Sequence, residues 1–413
     1  MIQFEKFKLD NGLTVLFHKD ATSPMAVVNT LYDVGARDEN PEQTGFAHLF
    51  EHLMFGGSVN IPDFDAPLQR AGGQSNAFTS NDITNYYDVL PKENLETALW
   101  LESDRMVSLA FTDKSLEVQR NVVIEEFKQR YLNQPYGDVW LQLRPLAYKV
   151  HPYRWATIGK EISHIENATM EDVRSFFSRF YSPSNAILTI AGNFESAYVQ
   201  DKVNKWYGDI SSVTKPFRNL PMEPVQTEYR ELSIERSVPA HAFYYAFKMG
   251  ARSESAYYAT DLLSDILGRG KSSVLYKSLV SEKQLTTEIS CYITGSIDNG
   301  LLIISGKLKD TSTFEEVDTV LWETLEQLKI NGVSENTLAK VRNKWETGKT
   351  FSDMGLLPRA MNLSFMELLG DANLVNTEHQ EYEKVTTTQI QSLLPALFTK
   401  TNCSCLKVIA KKS

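Results

Sequence analysis

The chain has 413 residues, of which 42% are apolar, 23% charged and 11% aromatic, values that are typical of globular proteins and exclude disordered and fibrous classes. A formal charge of −10 argues against a nucleic-acid-binding protein, because such a protein needs a basic surface to contact phosphates. A chain of this length exceeds the size at which one hydrophobic core usually stops growing, so we expect two domains of roughly 200 residues each.

The sequence contains no segment that predicts a membrane span. A transmembrane helix needs about 18 uninterrupted apolar residues, and no window approaches this. Residues 1–8 lack the apolar core of a signal peptide. We therefore expect a soluble, cytoplasmic chain, although a leader removed earlier would leave no trace in this sequence. Cys403 and Cys405 have no histidine neighbours, and we interpret them as ordinary thiols of a reducing compartment.

The first elements in chain order are strands followed by a helix. Residues 7–9 and 13–18 predict paired strands around the turn Asp10-Asn11-Gly12, and the apolar run 25–32 predicts a third strand. A polar, turn-rich stretch at 35–41 follows. From about residue 42, a helical pattern runs to Gly56-Gly57, where glycine favours a helix end.

This helix contains the motif His48-Leu49-Phe50-Glu51-His52. Side chains four residues apart share a helix face, so His48 and His52 can bind one metal ion. Neutral imidazoles are common zinc ligands, and a catalytic zinc site leaves one position for water. Glu51 projects at a neighbouring angle, where it can accept a proton from that water. The alternative is that both histidines only pack against neighbours, because short motifs also occur by chance.

The rest of the first half predicts a mixed sheet with helices packed on it. We expect two strands on either side of Asn81-Asp82, helices at about 93–109, 113–131 and 170–180, and a short strand at 186–192.

The second half repeats the order of the first. Residues 211–228 contain three prolines among scattered polar residues and predict an interdomain linker. Phe247–Arg252 then echoes Tyr32–Arg37, and each segment precedes a helical stretch that runs into glycines. We therefore predict an α+β fold of two homologous domains, each a mixed, mostly antiparallel sheet with helices packed on it. The predicted boundaries are 1–215 for the metal-bearing domain, 216–228 for the linker and 229–413 for the second domain.

The second domain lacks the metal motif. With the terminal glycines in register, the motif residues fall opposite Thr260, Leu263 and Ser264. A shifted register changes nothing, since no histidine lies between His241 and His379.

The motif and its surroundings resemble the pitrilysin and insulinase superfamily of zinc peptidases, especially the short mitochondrial-processing-peptidase-like and bacterial members. Residues 48–52 match the inverted zinc signature of that superfamily. The resemblance extends over the whole chain and includes Gly45–Ala47, Leu53–Gly56, Gly72–Thr79, Thr84–Tyr87, Arg120–Glu126, Tyr181–Asn185 and Gly192.

The resemblance implies a third metal ligand on a later helix. In the family it is a glutamate that follows an apolar run, and the matching residue here is Glu126, 74 residues beyond His52. Glu125 is the alternative, but on a helix it points about 100° away and is more suited to solvent. Many family members carry an acid seven positions before this ligand. Gln119 occupies that place and can hydrogen-bond next to the metal without adding charge.

The resemblance also implies how a peptide would bind. In the family, an extended peptide lies against an edge strand that corresponds to residues 75–78, which implies substrate contacts for Asn76 and Ala77. The alternative is that this segment is only a sheet strand that follows glycines. The family's chamber also uses an Arg and a Tyr from a domain copy without zinc ligands. Ser281 and Glu288 occupy those two positions here.

The sequence therefore predicts a zinc metalloendopeptidase with one zinc ion per chain, bound by His48, His52 and Glu126, with Glu51 as general base. Its peptide substrate would be hydrolysed in a chamber formed with a homologous subunit that lacks the zinc motif and supplies the Arg/Tyr pair. The competing hypothesis is a non-catalytic structural or peptide-holding subunit of the same fold. We expect no nucleic-acid partner and no membrane span.

Overall fold

The computed structural model describes residues 1–107 and 109–411, and the chain divides into two compact units. Unit 1 comprises Met1–Lys128, Trp155–Leu220 and Lys349–Thr377. Unit 2 comprises Gln129–Arg154, Pro221–Gly348 and Glu378–Ser413. One of the points at which the chain passes from one unit to the other lies within the predicted linker, after Leu220. However, two segments differ from the predicted boundaries. Segment 129–154 was predicted in the first domain but lies in unit 2, and segment 349–377 was predicted in the second domain but lies in unit 1.

Fourteen α-helices lie within the described residues. They are α1 (Phe46–Leu53), α2 (Asp65–Arg70), α3 (Leu95–Val107), α4 (Asp113–Phe127), α5 (Val139–Ala147), α6 (Ile162–Glu166), α7 (Met170–Phe180), α8 (Ser196–Tyr207), α9 (Ala256–Gly268), α10 (Phe314–Asn331), α11 (Glu335–Met354), α12 (Leu356–Leu368), α13 (Leu374–Lys384) and α14 (Thr387–Leu397).

Unit 1 contains a six-stranded sheet with the order β1-β2-β6-β3-β5-β4. Its strands are β1 (Glu5–Lys8), β2 (Thr14–Lys19), β3 (Met25–Tyr32), β4 (Gln74–Thr79), β5 (Thr84–Pro91) and β6 (Ala186–Gly192). β2 and β6 are parallel, and all other neighbours are antiparallel. The central strands β3 and β6 are buried almost throughout, because helices cover both faces of the sheet.

Helix α12 explains why segment 349–377 belongs to unit 1. It packs on β3 and β6. Ser364 of α12 accepts a hydrogen bond from Asn29 (2.8 Å), and its hydroxyl lies 2.7 Å from that of Thr189. All three side chains are fully buried, so each polar group needs these partners.

Unit 2 contains a five-stranded sheet with the order β7-β11-β8-β10-β9. Its strands are β7 (Arg230–Arg236), β8 (Ala242–Lys248), β9 (Thr286–Ile293), β10 (Leu301–Leu308) and β11 (Cys403–Ala410). β7 and β11 are parallel, and the remaining pairs are antiparallel. Helix α5 packs on this sheet through Val139, Leu143 and Ala147, which places segment 129–154 in unit 2.

The two sheets share one topology. If β1 is omitted, each consists of five strands in the spatial order first, fifth, second, fourth, third, with the same parallel and antiparallel pairs. This agreement confirms the predicted fold class. No helix in the described part of the chain is long and apolar enough to cross a membrane.

Candidate metal centre

Helix α1 presents one apolar and one polar face. Phe46, Ala47, Leu49, Phe50 and Leu53 are buried, whereas His48, Glu51 and His52 are partly exposed. The helix begins later than predicted, because Gly45 has a left-handed backbone (φ 91°) and cannot continue a helix toward its N-terminus. A Cβ atom at Gly45 would lie only 2.7 Å from the carbonyl oxygen of Ile158, so this close approach also requires glycine.

The structure brings His48, His52 and Glu126 together. The two imidazole Nε2 atoms are 3.3 Å apart, and Glu126 Oε2 lies 3.6 Å from that of His48 and 3.3 Å from that of His52. Tetrahedral ligands about 2.1 Å from a zinc ion lie about 3.4 Å from one another. Two imidazoles and a carboxylate at this spacing therefore fit the ligand set of a catalytic zinc site.

Helix α4 directs Glu126 toward the histidines and Glu125 away from them. Val123, Ile124 and Phe127 bury the inner face of the helix. The Glu125 side chain is 59% exposed and pairs with Lys128 at 2.7 Å. Glu126 and Glu125 were the two candidates for the third metal ligand, and Glu126 is the one that lies beside the imidazoles.

Glu51 hydrogen-bonds across to the sheet. Its Oε2 accepts a 2.6 Å hydrogen bond from the hydroxyl of Thr79, the last residue of β4. Behind it, Phe50 stacks on Tyr181 with ring centroids 5.1 Å apart, and the Tyr181 and Tyr86 hydroxyls lie 3.3 Å apart. Sequence reasoning missed the contact of Thr79 with Glu51, since two segments 28 residues apart form it.

Strand β4 is an edge of its sheet, and it carries Asn76 and Ala77. Side chains alternate along a strand, so Ala77 shares a face with Thr79, whereas Asn76 lies on the opposite face. The Ala77 amide donates to Asn76 Oδ1 at 2.8 Å. Because β4 has a neighbouring strand on one side only in its sheet, a further strand could pair along its other side.

Gln119 lies two turns before Glu126 on α4 and is partly buried. Its Nε2 is 3.9 Å from the position that a Cβ atom would take at Gly56, just beyond the end of α1. The structure thus places Gln119 next to the segment that follows α1.

A buried glutamate lies at the start of α1. Glu39 accepts hydrogen bonds from the Gly45 and Ala47 amides, each 2.9 Å long. Burial raises the pKa of Glu39 to about 8, against the opposing effect of these two amides. Its only signal in the sequence is an acidic residue in the turn before the helix.

A charged cluster lies beneath the sheet in unit 1. Asp88, Glu102 and Arg105 are at most 2% exposed, and Glu102 forms an ion pair with Arg105. The Arg105 guanidinium lies 4.4 Å from the ring centroid of Tyr86. Burial, together with the Glu102 charge, raises the pKa of Asp88 well above its usual range.

The residues of unit 2 that correspond to the metal motif are apolar or hydroxylic. Thr260, Leu263 and Ser264 are buried on α9. Ser281 is exposed, and Glu288 lies on β9, where it pairs with Lys307 at 3.1 Å. The described part of unit 2 thus has an acid where the resemblance would place a tyrosine.

Comparisons with known proteins agree with this architecture. Residues 14–152 match the family described as insulinase (peptidase family M16), and residues 167–344 match the peptidase M16 inactive domain. A zinc protease of Helicobacter pylori, PqqE, is 31% identical over 345 residues, which cover 82% of this chain and 77% of the relative. A probable mitochondrial-processing peptidase subunit beta of Arabidopsis thaliana is 24% identical and is matched over 74% of this chain and 57% of its own length.

The crystal structure of a protease from Helicobacter pylori superimposes with a TM-score of 0.91 at 26% identity and covers 99% of this chain and 100% of that chain. Both family models, the sequence relatives and the shared fold lead to one conclusion. The chain belongs to the insulinase and pitrilysin family of peptidases, M16.

Proposed function

We propose that this chain is a zinc metalloendopeptidase that binds one zinc ion through His48, His52 and Glu126. The observation that carries the proposal is the convergence of these three side chains, with donor atoms 3.3 to 3.6 Å apart. The names of the relatives as zinc proteases support the choice of metal.

Glu51 is the proposed general base. When bound, zinc would supply Lewis acidity, which polarises a carbonyl oxygen and lowers the pKa of water. The Thr79 hydroxyl holds one oxygen of Glu51, so the carboxylate has a fixed orientation on the same helical face as the histidines. From there Glu51 accepts a proton from the attacking water and returns it to the leaving amine.

The peptide would bind as an added strand along β4. Main-chain hydrogen bonds then supply affinity that is independent of sequence, as an endopeptidase requires. An incoming carbonyl would take the Ala77 amide from Asn76 Oδ1, which gives both residues a role in binding. Ala77 and Thr79 share a face, so a peptide bound there runs toward Glu51.

The proposed enzyme also includes a homologous subunit that lacks the zinc motif and supplies an Arg/Tyr pair. Support comes from Ser281 and Glu288, since neither can bind a peptide carbonyl with a cation or a phenol. A related chain is itself named as a subunit of a processing peptidase. In this proposal the chain gains activity when it is mixed with such a subunit, and full activity of the chain alone at any concentration would contradict it.

The test of the catalytic assignment compares Glu51→Gln with Glu125→Gln. Glu51→Gln keeps the shape and the bond with Thr79 but cannot take up the proton, so kcat should fall about 10²- to 10⁴-fold. Zinc content, measured by inductively coupled plasma mass spectrometry, should stay at one ion per chain. Glu125→Gln makes the same change on an exposed side chain and should behave as wild type.

Two results would contradict the proposal. Wild-type protein that takes up no zinc on reconstitution would exclude the metal site, and a fully active Glu51→Gln would exclude the base. The competing hypothesis of a non-catalytic subunit predicts zinc binding without turnover, even when the partner is present.

A further inference from the structure

The start of α1 is fixed by a side chain from outside the helix. Eight residues make up α1, and three of them are site residues, so the placement of this short helix determines where their side chains lie. The residue that precedes it, Gly45, has no side chain to cap the first amides. Glu39 supplies the cap, with one oxygen on the Gly45 amide and the other on the Ala47 amide.

We propose that Glu39 is a positioning residue for the metal centre, which acts by holding the backbone immediately before His48. The inference rests on the proposed zinc site and adds a residue to it. The Ala47 amide belongs to the rigid peptide unit that ends at the Cα atom of Ala47, so a shift of this amide moves the Cα atom to which the peptide unit of His48 is attached.

Glu39 is itself immobilised. It is 6% exposed and follows Asp38, whose carboxylate accepts bonds from the Gly35 amide at 3.0 Å and from Arg218 Nε at 2.5 Å. The indole N–H of Trp155 donates to the carbonyl of Ala36 in the same turn at 2.8 Å. These contacts fix the turn, and the turn fixes the glutamate.

The metal centre has little tolerance for such a shift. Its donor atoms already lie within a few tenths of an ångström of the tetrahedral spacing of about 3.4 Å. Mutation of a residue that holds a metal ligand in place typically lowers metal affinity or activity about 10- to 100-fold. A displaced His48 should therefore weaken zinc binding before it unfolds the chain.

Glu39→Gln tests this role with a minimal change in shape. A glutamine has one acceptor oxygen, so its NH₂ group would face one of the two backbone amides, donor against donor. Glu39→Asp keeps both oxygens, but it is one methylene shorter and cannot reach both amides. It serves as the second variant if Glu39→Gln fails to fold.

Glu316→Ala is the matched control. Glu316 accepts a 2.8 Å hydrogen bond from the Thr313 amide at the start of α10, a helix of unit 2 that carries no candidate site residue. Alanine there removes the carboxylate that caps the Thr313 amide, whereas glutamine would still accept this single bond. A purely structural role of Glu39 predicts the same outcome for both variants.

The measurement is the zinc dissociation constant of the full chain, obtained by competition with a chromogenic chelator, together with the melting temperature. We expect zinc affinity to fall at least 10-fold in Glu39→Gln and less than 2-fold in Glu316→Ala, with both melting temperatures lowered. In the active assembly, kcat should fall in Glu39→Gln while KM stays within 2-fold, since β4 is untouched.

The outcomes separate the two proposals. Wild-type protein that binds no zinc overturns the proposed function. If wild-type protein binds zinc and folded Glu39→Gln or Glu39→Asp binds it equally well, only the role of Glu39 is overturned, and the proposed function stands. An equal loss of affinity in Glu39→Gln and Glu316→Ala would also overturn that role, because it would reflect general destabilisation.

Discussion

Substitution of Asp88 by asparagine should stabilise the protein at neutral pH. Asp88, Glu102 and Arg105 are all buried, so two acids share one base. Glu102 pairs with Arg105, and Asp88 is left as an excess acid whose pKa is raised by burial and by the Glu102 charge. Asparagine keeps the shape of the protonated acid and carries no charge at any pH.

The size of the expected stabilisation by Asp88→Asn follows from the proton that wild-type Asp88 takes up on folding. An unfolded aspartate has lost its proton at pH 7, whereas the folded Asp88 holds it more tightly, so folding becomes less favourable as the pH rises above 3.8. The loss is about 1.4 kcal/mol per pH unit until the folded pKa is reached, or at most about 4 kcal/mol at pH 7. Asp88→Asn has no such loss. Its advantage should be absent near pH 3.5 and should grow with pH.

The assay is urea unfolding followed by tryptophan fluorescence at several pH values between 3.5 and 8. Asp201→Asn is the control, because the Asp201 side chain is 74% exposed and its substitution should change stability little at any pH. Peptidase activity of Asp88→Asn should stay within 2-fold of wild type, since the Glu102–Arg105 pair remains. A stability difference between Asp88→Asn and wild type that does not change with pH, or an Asp88→Asn protein less stable than wild type at pH 8, would refute the reasoning.

Three further predictions concern the site and the packing of unit 1. Glu126→Gln should lower zinc affinity more than about 100-fold, which exceeds the loss expected when a residue that only supports a ligand is replaced. Unchanged affinity in a chelator competition would exclude Glu126 as a ligand. Thr79→Val should retain zinc but lower kcat about 10-fold, because the 2.6 Å bond that orients Glu51 is lost; wild-type kcat in a quenched-peptide assay would show that the bond is dispensable. His18 is held neutral, since burial lowers its pKa and Arg359 donates to its Nε2 at 2.8 Å. The unfolding free energy should therefore fall as the pH drops below 6.5, and His18→Gln should reduce this decline in urea titrations.

The local features of this protein could be predicted from the sequence. The spacing of His48, Glu51 and His52 sets their common helix face, because a helix has a fixed period. Apolar patterns predicted β3, α7 and β6 with the bounds that the structure gives, because a buried strand or an amphipathic helix is determined by its own side chains. The choice of Glu126 as a ligand needed the resemblance to a family, since a spacing of 74 residues has no local meaning.

Only the tertiary structure decided which distant residues meet. The sequence boundaries gave segment 349–377 to the second domain, but Ser364 satisfies the buried polar groups of Asn29 and Thr189, and its helix belongs to unit 1. The contact of Thr79 with Glu51 likewise cannot be predicted from a linear pattern, and neither can the contact of Glu39 with the start of α1. Hydrogen bonds of buried groups depend on where the chain returns, and that is fixed by the packing of the whole unit rather than by the local period of side chains.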